Sequence, residues 1–130
     1  MLNFKISELI KSDIAIKYNI NNMPDINALD CMLDLIYFCL QPIREIIKKP
    51  MIITSGYRNK EVNKLVGGVF NSQHCLGQAV DFIVKGAKPE QIIKIIKNTN
   101  IEYDQLINEY DKWVHISYRK NNNRIQVLKY

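Results

Sequence analysis

Between Leu29 and Ile47, apolar residues recur every three or four positions: Leu29, Met32, Leu33, Ile36, Cys39, Leu40, Ile43, Ile46 and Ile47. The spacing predicts one long core helix running from about Asp25, with a bend at Pro42, whose ring removes a backbone donor and crowds the turn before it. A stripe this long must be covered, and the rest of the chain supplies the cover in short pieces. Upstream, "FKISELIKSDIAIKYNI" predicts a short amphipathic helix with Ser7 as N-cap and Leu9, Ile10, Ile14 and Ile16 as its apolar side, ended by "NNMPD". Downstream, "PMIITS" predicts a short buried strand, "NKEVNKLVGG" a small helix stopped by two glycines, "QAVDFIV" a second strand, and "KPEQIIKIIKNT" a helix opened by proline. The last three apolar runs, "YDQLINEY", "WVHISY" and "RIQVLKY", predict a three-stranded antiparallel meander. Helices first, then strands with helices on one face, make an α+β fold: N-terminal helices on a mainly antiparallel sheet. No internal repeat or linker interrupts the pattern, so residues 1–130 form a single domain, large enough to bury roughly two-thirds of its unfolded surface.

Composition excludes several classes. At 47% hydrophobic and 24% charged residues the chain is an ordinary globular sequence, neither disordered nor membrane-embedded. No uninterrupted apolar run approaches the ~18 residues of a membrane span, and "MLNFKISELIKSD" has neither the apolar core nor the cleavage site of a signal peptide. The expectation is synthesis in a cytoplasm without a signal peptide. Three cysteines, Cys31, Cys39 and Cys75, show no paired spacing and are expected as free thiols. The formal net charge of +5 suits a polyanionic partner such as nucleic acid, an anionic membrane or a phosphate-rich wall polymer, and equally suits simple solubility. No basic run exceeds two residues and no Arg/Lys-rich groove helix is present, which disfavours a basic nucleic-acid-binding domain.

The chemistry concentrates in "SQHCLGQAVDFIV" and "WVHISY". His74 precedes a predicted strand, Asp81 lies in it, and His115 lies in another. Two imidazoles and one carboxylate are a recurrent catalytic zinc set, because three protein ligands leave a fourth tetrahedral position open. Gly77 and Ala79 are small enough to let the backbone turn tightly between two ligands. The alternative is that both histidines are core or surface residues with satisfied hydrogen bonds. The helical metalloprotease pattern of two histidines flanking Glu-x-x is absent. Cys75 beside a histidine offers a thiolate nucleophile as another possibility, against which stands its reading as a small half-buried thiol.

"TSGYRNKEVNKLVGG", then "SQHCLGQAVDF", then "DQLINEYDKWVHIS" resemble the M15 family of zinc D-Ala-D-Ala carboxypeptidases and peptidoglycan endopeptidases, in its short phage and prophage form. The N-terminal "FKISELIKSDIAIKYNINNMP" and "LQPIREI" resemble that subfamily too. The resemblance implies a hedgehog/DD-peptidase-like fold and a zinc-dependent hydrolase acting on peptidoglycan stem peptides, as a monomer and without nucleic acid or membrane. It implies His74, Asp81 and His115 as zinc ligands, and Arg58 as a substrate-binding residue whose fixed fork suits a peptide carboxylate. Ser72 matches the motif serine, for substrate binding or for holding the ligand turn. Asp104 and Gln105 match a family pair expected to orient a ligand imidazole. Many members carry a glutamate three residues before the last histidine, where this chain has Lys112. The general base is therefore expected at Glu109, ahead of Asp111, in a hairpin turn centred on Asp111 and Lys112. Trp113 is expected as core or pocket wall. The setting implied is a phage lysis enzyme or a virion-borne wall hydrolase. The rival is a non-catalytic wall-binding or virion structural relative, which the missing glutamate would suit.

Overall fold

The computed structural model describes residues 2–130. The N-terminal segment that the sequence presents as one helix is two: α1 (Ile6–Ile10) and α2 (Asp13–Lys17). Ser7 does not cap α1, whose N-cap is Lys5; Ser12 instead caps α2, its hydroxyl oxygen accepting the Ala15 amide at 3.1 Å. Leu9 is buried in the core, whereas Ile16 is 70% exposed.

The long helix runs without a break from Ile26 to Ile47, as α3 (Ile26–Leu35), a π-helical turn (Ile36–Leu40) and α4 (Gln41–Ile47). Asp25 caps it by accepting the Ala28 amide. Pro42 explains the π turn: it has no N–H for the Phe38 carbonyl and its ring displaces that oxygen, so the Gln41 amide reaches back five residues to Ile36. By length and composition these 22 residues could cross a membrane, although polar residues interrupt their apolar run. Here the helix is the core helix, with Ala28, Met32, Leu35, Ile36, Cys39, Leu40 and Ile43 in the central cluster.

Five strands follow: β1 (Ile52–Ser55), β2 (Ala79–Ile83), β3 (Gln105–Glu109), β4 (Trp113–Ser117) and β5 (Gln126–Lys129), in the order β1-β2-β4-β3-β5. Helix α5 (Lys60–Leu65), a 3₁₀ turn (Gln73–Leu76) and α6 (Pro89–Lys97) fill the connections. The α+β class stands, but the meander does not. β4 is flanked on both sides, by β2 and β3, so the last strand takes the open edge of β3 and runs parallel to it. Asp104 starts it there: its carboxylate accepts the Arg124 backbone and side chain, and the Ile125 and Gln126 amides bond Tyr103 and Asp104 carbonyls. β1 is the opposite edge and half exposed, not the buried strand expected.

Register divides the sheet into two faces. Val80, Phe82, Leu106, Val114 and Ile116 belong to the core shared with the long helix and α6. The pairs Asp81↔His115, Ile107↔His115 and Glu109↔Trp113 set Asp81, His115, Ile107, Trp113 and Glu109 on the other face.

Candidate metal centre

Asp81 and His115 are cross-strand partners, so pairing β2 with β4 is enough to place two donors side by side. The third comes from the 3₁₀ turn. His74 is 4% exposed and is held at three points: the Ser72 hydroxyl oxygen accepts its amide, its carbonyl accepts the Arg58 amide, and its Nδ1–H donates to the Gly56 carbonyl at 2.8 Å. That last bond fixes the tautomer and turns the Nε2 lone pair toward Asp81. Gly77 ends the turn with φ +73, so tightly set against α3 that a Cβ would collide with the Ala28 carbonyl. The smallness expected of Gly77 therefore has a definite cause.

Asp81 Oδ1 lies 3.5 Å from His74 Nε2 and 2.9 Å from His115 Nδ1, and one donor atom from each residue falls within 4.8 Å of the others. Ligands on bonds of about 2.0–2.1 Å in a tetrahedron stand about 3.3 Å apart, so the donor set fits a zinc-sized ion with little movement. Burial pushes the Asp81 carboxyl upward, but the hydrogen bonds and charges of His115 and His74 outweigh it and hold the group well below the usual carboxylate range. The carboxylate is thus ionised and available as a ligand.

Arg58 leaves β1 through Ser55, Gly56 and Tyr57. It lines a cleft of about 400 Å³ with Lys11, Ser12, Thr54 and Val66. Its Nε is buried without a hydrogen-bond partner, and burial lowers the guanidinium pKa while nearby Asp81 raises it. The structure therefore brings Arg58 to the electrostatic neighbourhood of the metal cluster.

The hairpin loop is three residues, Tyr110–Lys112, rather than a two-residue turn centred on Asp111 and Lys112, because Tyr110 and Asp111 both take positive φ. Asn108 braces that loop: its Oδ1 accepts the Asp111 amide and its Nδ2 donates to the Asp111 carboxylate. Asp111 is thereby tied to the core side of the sheet, while Glu109 sits on the metal face. Burial raises the Glu109 pKa; the charges of His115 and His74 lower it and Asp81 raises it, so the carboxyl is within reach of all three fields and ends above its ordinary value. Trp113 shares this face beside Glu109, its Nε1 buried and unpartnered.

One expectation is corrected. Asp104 and Gln105 orient no imidazole: Asp104 accepts Gln73 Nε2 and the Arg124 guanidinium, and the Gln105 side-chain amide donates to Gln126. Cys75 is a half-buried thiol, its pKa raised by burial despite the Arg58 and Lys60 charges. All three cysteines are free, as expected. The role of the Gly56 carbonyl carried no signal in the sequence, since a backbone acceptor has no residue type to announce it.

No curated protein matches the chain significantly. The family model described as Peptidase M15 matches residues 2–117, a span that holds α1 through β4 and every donor of the metal cluster, and the chain belongs to that peptidase family.

Proposed function

We propose that this protein is a zinc-dependent hydrolase of peptide bonds in peptidoglycan stem peptides, acting as a D-Ala-D-Ala carboxypeptidase or as an endopeptidase. The observation that carries this reading is the His74, Asp81, His115 cluster, with His74 Nε2 and His115 Nδ1 both directed at one Asp81 oxygen. These three side chains would hold zinc, which when bound supplies a Lewis acid for the scissile carbonyl and lowers the pKa of water to about 7. Glu109, on the same face with a raised pKa, takes the proton of the attacking water and returns it to the leaving amine. Arg58, whose Nε–H has no partner within the protein, offers its guanidinium to a carboxylate or carbonyl of the peptide. Ser72, whose oxygen already accepts the His74 amide, keeps its hydroxyl proton for the same peptide. Its setting is a phage or prophage lysis enzyme, or a wall hydrolase carried in a particle, made in the host cytoplasm as a monomer.

Lys112 favours one other reading, a wall-binding relative without activity, since the glutamate common at that position is missing. One experiment separates them. Metal content is measured for the wild type and His115→Ala, and peptide or D-alanine release from purified peptidoglycan is followed with and without chelator. About one zinc per chain, lost in the variant, with chelator-sensitive release, supports the hydrolase. Metal without release supports the wall-binding relative, and absence of metal refutes the zinc hydrolase.

A further inference from the structure

Helix α5 begins two residues after Arg58, whose amide donates to the His74 carbonyl. Lys60 and Lys64, one turn apart on the same helix face, line a second cavity of about 420 Å³ together with Asn63, Gly68 and Phe70. Among the described residues, ion pairs join Asp81 to its histidines and Asp104 to Arg124; none involves Arg58, Lys60 or Lys64. The backbone ties this cavity to the metal centre, since α5 packs against the 3₁₀ turn that carries His74.

The far wall is an aromatic held in place without being buried. Phe70 is 88% exposed and Val69 72%. Their loop is nonetheless pinned at its base: the Asn63 side chain donates to the Val69 carbonyl at 2.9 Å, the Asn63 backbone carbonyl accepts the Gly68 amide, and the Ser72 amide donates to the Val69 carbonyl. Gly68 lies against the buried Asn63 amide so closely that any Cβ there would collide with it. Asn63 Oδ1 itself has no donor. A hydrogen-bonded loop that presents a phenylalanine to the same cavity as two lysines outside any ion pair offers an apolar wall and a positive field at once.

We propose that this cavity is a subsite for a free carboxylate on the stem peptide, remote from the cleaved bond, so that the enzyme prefers acidic stem peptides over their amidated forms. The proposal rests on the peptidase reading and names its substrate class. The carboxylate sits between Lys60 and Lys64, and the aliphatic part of the same residue lies on Phe70. Glu61, three residues before Lys64 on the same helix, forms no ion pair with it among the described residues.

The test uses two synthetic stem peptides, identical except that a carboxyl group two or three residues from the scissile bond is free in one and a primary amide in the other. With zinc-loaded protein at low salt, kcat/KM is expected to favour the acid by about three- to tenfold, the range two exposed ion pairs provide. The ratio shrinks as salt is added. In the double variant K60Q/K64Q it falls to about one; being internal to each variant, the ratio is unaffected by a general change in activity. A wild-type ratio near one, or an unchanged ratio in the double variant, overturns the proposal. If neither peptide is cut, the peptidase reading fails, and the ratio of dissociation constants from calorimetry decides the subsite by the same criteria. Binding of neither peptide overturns both.

Discussion

Replacing Gly77 by alanine asks two things of the backbone at once, and the fold contains a control that asks only one. Gly77 has φ +73, and a Cβ there would overlap the Ala28 carbonyl oxygen and come within 3.0 Å of its carbon and of Met32 Cγ. Gly67 has nearly the same φ, +74, with nothing within 4 Å of the added carbon. Gly67→Ala therefore carries only the left-handed penalty, about 1 kcal/mol. Gly77→Ala adds the overlap with α3, whose carbonyl belongs to a helix and cannot rotate away; forcing such a contact costs about 1–3 kcal/mol more. At about 3–4 °C per kcal/mol for a chain of this size, Tm should fall by about 3–4 °C in Gly67→Ala and by about 6–15 °C in Gly77→Ala. Thermal unfolding of the two variants and the wild type by circular dichroism, without added metal, reads both effects. The displaced turn carries His74, so zinc affinity of Gly77→Ala should drop by about tenfold or more. Equal Tm losses in the two variants would refute the reasoning, since they would mean that the ligand turn is not wedged against α3.

Glu109→Gln should lower kcat by about 100- to 10,000-fold with metal content retained, whereas Asp111→Asn, on the core side of the sheet, should stay within about twofold; steady-state kinetics beside metal analysis decides between them. Arg124→Ala should cost about 1–2 kcal/mol near neutral pH, discounted because the arginine is half exposed. Burial raises the Asp104 pKa but the Arg124 bonds lower it further, so the folded value lies below the unfolded one. The stabilisation is then fully present above the unfolded value near 3.9 and is lost as pH falls through the folded pKa, so urea unfolding of wild type and variant should converge in acid.

The candidate metal donors were legible because strand patterning and residue type agreed. Asp81 alternates with Val80 and Phe82, and His115 with Val114 and Ile116, so both polar residues had to leave the core face. The face of Glu109 was less accessible, since it depends on whether the loop holds two residues or three, and Tyr110 and Asp111 at positive φ carry no glycine to announce it. β5 was misplaced for a topological reason: "KNNN" signals a turn, but only the occupation of both edges of β4 forces the chain past it, and the Asp104–Arg124 clamp joins residues 20 apart. The two N-terminal helices split at Lys11 and Ser12 because Ser12 finds an amide to cap, a local competition that periodicity averages over.

The direct pairing of Asp81 with His115 makes strand register readable from outside the protein. A slip of one residue between β2 and β4 would move one donor to the opposite side of the sheet and leave a lone imidazole where a chelate had been. An ion that needs all three donors therefore binds only chains whose β2–β4 ladder has formed in the native alignment, and its binding energy adds to the stability of that alignment alone. Metal uptake followed during refolding would then time the closure of this one ladder, and the fraction of chains able to take metal would count those that closed it correctly.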